Sequence, residues 1–183
     1  QKGYSVIFDI LTATIIGGII LINLLNLNES LYQTEVTTML DVNLQVEIIN
    51  VANIIENDFN KIGYCANPAN INDLPKLTMA NNSSIKFIYD VDVDGDGIYE
   101  GNYDTVYYFV SDTSILNGTP NPRDRILYRQ VNSNTPFMVS NRITDFQLQY
   151  IDGLYNTLST PLASPGLATY IKISIKVEDP FAY

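Results

Sequence analysis

The chain has 183 residues, enough for one ordinary domain and an appendage. Twenty acidic residues against ten basic ones give a net charge of −10, which disfavours a nucleic-acid partner because phosphate binding requires clustered Lys and Arg. One cysteine and no histidine exclude an internal disulfide and leave zinc, haem and Cys–His catalytic arrangements without their parts.

From Tyr4 to Leu27 the chain reads YSVIFDILTATIIGGIILINLLNL. As a helix this is roughly 36 Å long, enough to span a bilayer core of about 30 Å. The run is longer than the apolar stretch of about 7 to 15 residues in a signal peptide, and no A-x-A site follows it, so the segment is expected to be retained. Lys2 precedes it and the next basic residue is Lys61, which orients the N-terminus to the cytoplasm and the remainder outside. Asp9 interrupts the apolar run at a cost of about 2.5–3.5 kcal/mol in a bilayer, and an acid so placed is expected to have a partner.

Further on, Leu44, Ile48, Val51, Ile55, Phe59 and Ile62 recur at helical spacing and form one apolar stripe. No proline occurs before Pro68, and Gly63 with Asn67-Pro68 supplies a stop, so a single helix is expected from Tyr4 to about Ile62. Its weak point is Gly17-Gly18, where two glycines cost about 2 kcal/mol relative to alanine and favour local unwinding in an assembled state. Two regions follow: residues 1–29, a hydrophobic helical segment for membrane or filament core, and residues 30–183, a head that includes the amphipathic half of the helix. The lone Cys65 is expected to be buried and structural.

The head reads as strands. Ile85, Phe87 and Tyr89 alternate with Lys86, Ile88 and Asp90, and Val106–Val110 and Ile126–Tyr128 are rich in strand formers. Phe146, Leu148 and Tyr150, and then Ile171, Ile173, Ile175 and Val177, show the clearest period-2 patterns. One dry face per strand suits an antiparallel sheet covered by the helical stripe, so the predicted class is α+β, with a long N-terminal helix packed on a β-sheet head.

Asp92, Asp94 and Asp96 place three carboxylates at alternate positions beside Gly95 and Gly97, the opening of a calcium loop of EF-hand type. Ile98 would add its carbonyl and Glu100 a side chain or a bridging water. The twelfth position is Tyr103, so the closing acid is displaced to Asp104. Asp90 ranks below these as a substitute ligand. The expected metal is structural Ca2+; the competing reading is a solvated acidic turn. With no histidine, no G-x-S-x-G and no phosphate loop, no enzymatic activity is expected.

Lys2-Gly3-Tyr4-Ser5-Val6-Ile7 resembles the processing site of the type IV pilin superfamily: a Lys-Gly, an aromatic, a hydroxyl residue and two aliphatics at the head of a hydrophobic helix. The segments Asn57–Tyr64, Ile126–Arg129 and Ile143–Tyr150 are similar to the PilW-like minor pilins. The resemblance implies cleavage by a prepilin peptidase after Gly3, methylation of Tyr4, and Gln1 to Gly3 as leader remnant. It also implies pairing of an acid with a neighbouring subunit's terminal amine. The family's glutamate position is occupied here by Phe8, with Asp9 next to it, about 100° further round the helix.

The expected function is therefore structural: a subunit of an extracellular, type IV pilus-like filament, a helical homo-oligomer delivered from the inner membrane by pilus assembly machinery. Alternatives are a minor pilin or pseudopilin of a type II secretion or pilus tip complex, and a membrane-anchored adhesin whose Tyr- and Asn-rich loops meet carbohydrate or another surface.

Overall fold

The computed structural model describes residues 2–178. Gln1, assigned above to the leader, lies outside them. One helix, α1, runs over Lys2–Phe59 without a break. The chain divides by compactness at Asn43/Leu44, further along this helix than the composition change near residue 29.

In the first unit, every residue from Val6 to Asn43 except Leu40 is exposed. The fourteen large apolar side chains between Val6 and Leu27 are each 53–67% exposed, on all sides of the helix. Polar side chains in this stretch bond back into their own helix. Thr12 Oγ1 donates to the Phe8 carbonyl at 2.8 Å, Thr14 Oγ1 to Ile10 at 2.8 Å and Asn23 Nδ2 to Ile19 at 3.0 Å. Such bonds satisfy a polar group inside apolar surroundings. The helix passes through Gly17 and Gly18 in regular form, so the unwinding expected there is not a property of the single chain.

The second unit joins the end of α1 to a seven-stranded antiparallel sheet: β1 (Leu77–Ala80), β2 (Ser84–Tyr89), β3 (Asp104–Val110), β4 (Arg125–Val131), β5 (Phe137–Ile151), β6 (Thr157–Leu158) and β7 (Tyr170–Val177). The order is β1-β2-β3-β4-β5, with β6 and β7 both paired to the long β5. The fold is α+β. Val51 and Ile55 of α1 enter the core with Ile85, Phe87, Val106, Tyr108, Leu148 and Tyr150. Phe59 meets Phe87 and Tyr108 edge-on, with ring centroids 5.1 and 5.7 Å apart. The apolar stripe is buried only toward its C-terminal end, for Leu44 is half-buried and Ile48 exposed.

Just after Phe59 the chain turns at Gly63, whose φ of 77° is the left-handed conformation that glycine adopts most readily. The sheet is not dry on one face alone. Ile88, expected on the wet side of β2, is buried with Cys65 and Ile71 in a second small cluster that the segment after the helix lays over it.

Two charges lie where the apolar pattern calls for aliphatics. Asp58 is on the buried stripe, three residues after Ile55, and Arg129 is on the inner face of β4 between Leu127 and Val131. The Tyr89 hydroxyl donates to Asp58 Oδ1 and the Tyr108 hydroxyl to Oδ2, each at 2.6 Å. Arg129 Nε donates to Oδ2 at 2.5 Å and Nη2 to Oδ1 at 3.1 Å. Burial raises both tyrosine pKa values, and the Asp58 charge raises them further. Burial opposes the Arg129 charge, but the hydrogen bonds and charge of Asp58 outweigh it and its pKa rises. Asp58 thus favours the charged form of Arg129. Nearer the sheet edge, Glu47 accepts from Ser140 Oγ at 2.6 Å and pairs with Arg142 at 3.3 Å.

Replacing Asp58 with alanine leaves Arg129 charged and partly buried without its counter-ion. Such a loss costs about 3–5 kcal/mol. Denaturant unfolding of the full chain in detergent, followed by tyrosine fluorescence, is expected to show it; an unchanged midpoint would exclude this network as the clamp between helix and sheet.

Candidate metal centre

The loop between β2 and β3 begins at a buried anchor. Asp90 is 1% exposed, and its Oδ2 accepts the Gly101 amide at 2.8 Å and the Ala66 amide at 3.1 Å. The ends of the loop are thereby drawn together. Cys65, buried as expected, has its sulfur 3.9 Å from the same oxygen and donates to the Gly101 carbonyl at 3.3 Å.

Within the loop, Asp92 Oδ1 accepts the Gly95 amide at 2.8 Å and Oδ2 the Gly97 amide at 2.9 Å, while Asp96 Oδ1 accepts the Ile98 amide at 2.7 Å. Gly95 and Gly97 have φ of 76° and 83°, a conformation an L side chain adopts only with strain. The glycines thus let the backbone curl until its amides face Asp92. Desolvation is the largest single influence on Asp92 and works against its charge, but the hydrogen bonds from the Gly97 and Gly95 amides and from its Asp94 and Asp96 neighbours together outweigh it and hold its pKa below the usual carboxylate value.

The fold brings three of the expected ligands together. Asp92, Asp94 and Asp96 each offer an oxygen, and these oxygens lie within 4.8 Å of one another, with Asp92 half-buried and the other two exposed. Oxygen ligands gathered on a loop suit a hard divalent cation such as Ca2+. Ile98 and Glu100 are exposed on the same loop. Asp104 is not in that group; its Oδ2 accepts the Val91 amide at 3.1 Å and its Oδ1 the Asn132 side-chain amide at 2.6 Å. It is the first residue of β3, and its geometry is set by strand pairing rather than by the loop. Asp90, too, is an anchor and not a member of the cluster.

Of the expected processing and assembly residues, Gly3 and Tyr4 lie within α1, and Gly17 and Gly18 are exposed on it. Asp9 is also exposed, and its carboxylate accepts no hydrogen bond among the described residues. Sequence reasoning missed the Asp58–Arg129 network. The available signal was an acid on a stripe of core residues and an arginine alternating with core residues on a strand.

Comparison with protein-family models, with curated proteins and with solved structures gave no match.

Substituting Asp92 with alanine removes the acceptor of two loop amides. Hydrogen exchange read by NMR is expected to accelerate at Gly95 and Gly97 while the β2 and β3 amides keep their rates. In the wild type the same loosening is expected on acidification. A depressed pKa contributes order above the unfolded-state value near 3.9, and that order is lost as pH falls through the lower folded value. Protection factors at Gly95 and Gly97, taken relative to the intrinsic exchange rate at each pH, that are indifferent to both changes would rule out Asp92 as the organiser of the loop.

Proposed function

We propose that this chain is a structural subunit of a pilus-like extracellular filament, held in the membrane before assembly and in the filament afterwards by the first part of α1. The observation that carries the reading is the exposed apolar surface on all sides of the helix from Val6 to Leu27. At about 1.5–3 kcal/mol per large side chain, water is an untenable environment for it. By length and composition, α1 is the one helix among the described residues that could cross a membrane, and none of its most apolar stretch is buried.

A bilayer and a bundle of identical helices both satisfy this surface. Passage from one to the other exchanges one apolar setting for another, and Gly17 and Gly18 allow close approach of helices. The resemblance of Lys2–Ile7 to a pilin processing site supports cleavage between Gly3 and Tyr4. Asp9 then faces the terminal amine of a neighbouring copy, a pairing that offsets the cost of an acid in apolar surroundings. In the head, a calcium ion held by Asp92, Asp94 and Asp96 serves to order the loop.

The assembly reading is tested by electron microscopy of cells that express the full chain, with mass spectrometry of the subunit's N-terminus. Filaments whose subunits begin at a methylated Tyr4 are expected, and Asp9→Asn is expected to reduce their number without lowering the amount of protein in the membrane. Absence of fibres, with residues 1–3 still attached, would reduce the protein to a tethered domain.

The calcium reading is tested by titration calorimetry. A dissociation constant of about 0.1–1 mM is expected, as for extracellular calcium modules, and it should be abolished in Asp94→Asn/Asp96→Asn. At ten times that concentration, calcium should stabilise the head by about 1.4 kcal/mol. No heat and no shift in Tm at 10 mM CaCl2 would leave the loop as an acidic turn held by its own hydrogen bonds.

A further inference from the structure

A cleft of about 240 Å3 lies between the Val91–Val93 segment and the turn from β4 to β5. The Asp104 carboxylate joins its two walls, holding the Val91 amide with one oxygen and the Asn132 side chain with the other. Asn132 has a φ of 53°, uncommon for a residue with a side chain, and is fixed there by its neighbours. Its side-chain oxygen accepts the Thr105 amide at 2.9 Å, and its own amide donates to the Thr105 carbonyl at 2.7 Å. Gln130 Nε2 donates to the Asn134 carbonyl at 2.8 Å and secures the turn from the other side. The cleft is therefore formed before anything enters it.

Arg129 lines the cleft. Its Nε and Nη2 are taken by Asp58 and Tyr89, which leaves Nη1 as the guanidinium nitrogen without a partner among the described residues. Asp58 already balances the arginine's charge, and Asp92 stands in the cleft wall, so an anion gains no net attraction there. Asn134 and Thr135 add neutral donors and acceptors, while Phe137, 61% exposed, and Val131 add apolar surface. An uncharged guest with hydroxyls on its edges and C–H bonds on its faces matches this combination. The volume is below the range of about 300–1,000 Å3 found for drug-sized ligands, which limits the guest to a single ring.

We infer that this cleft is a binding site for one neutral sugar residue, with a hydroxyl oxygen accepting from Arg129 Nη1, further hydroxyls bonding to Asn134 and Thr135, and the ring's C–H face against Phe137. The inference does not depend on filament formation.

The test is saturation-transfer NMR on the full chain in a detergent without a sugar headgroup, with the methyl glycosides of glucose, galactose and N-acetylglucosamine as probes. Saturable binding of at least one at millimolar concentration is expected, with transfer strongest to ring C–H protons. Phe137→Ala should weaken it about tenfold and Thr135→Val several-fold, with Tm unchanged because both side chains lie outside the core. Arg129 is left intact, since it clamps the helix. No saturable binding by any of the three, undiminished binding by Phe137→Ala, or tighter binding of sodium acetate than of any glycoside would each overturn the inference.

Discussion

A single helix must satisfy two different surroundings. Its first part exposes large aliphatic side chains on every side and has no stable existence in water, while its last turns carry a stripe shaped for a β-sheet. Because the backbone hydrogen bonds of a helix are satisfied within the helix, the same element passes from one setting to the other without a break. Nearly everything else in the molecule follows from this. The sheet buries the end of the helix, and the apolar part is left exposed.

Charge along α1 is equally one-sided. Between Tyr4 and Asn60 the acids are Asp9, Glu29, Glu35, Asp41, Glu47, Glu56 and Asp58, and no basic residue occurs. Two of these acids meet arginines of the sheet: Glu47 with Arg142, and Asp58 with Arg129. A stripe of aliphatic side chains tolerates some sliding along a pleated surface. Four donor groups converging on one carboxylate do not, since a displacement of one residue leaves buried groups without partners. The polar network thus fixes the position of the helix on the sheet, while Val51, Ile55 and Phe59 supply most of the apolar burial.

The acidic residues around the β2–β3 loop divide by the groups that reach them. Asp90 anchors the ends of the loop, Asp104 ties β3 to the β4–β5 turn, and Asp92 curls the backbone between them. Among the described residues, Asp92, Asp94 and Asp96 form the group whose oxygens lie close together. A pattern of carboxylates at alternate positions therefore contained both structural struts and candidate ligands. Their roles separated once strand pairing had set Asp104 against Tyr89 and Thr105 against Asn132, which brings the Asp104 carboxylate to the Asn132 side chain.

The amino-acid sequence by itself determined the long helix, its apolar and amphipathic halves, the α+β class and the inner faces of β5 and β7. Each of these depends on periodicity within one element, and the physics of one helix turn or one pleat is local. The tertiary structure alone decided that Asp58 and Arg129 meet across 71 residues of chain, that Ile88 is covered by the Cys65–Ile71 segment, and that Asp104 joins the Val91 amide to the Asn132 side chain. Those outcomes depend on which strands pair and in what register, and long-range pairing leaves no period in the sequence from which it could be read.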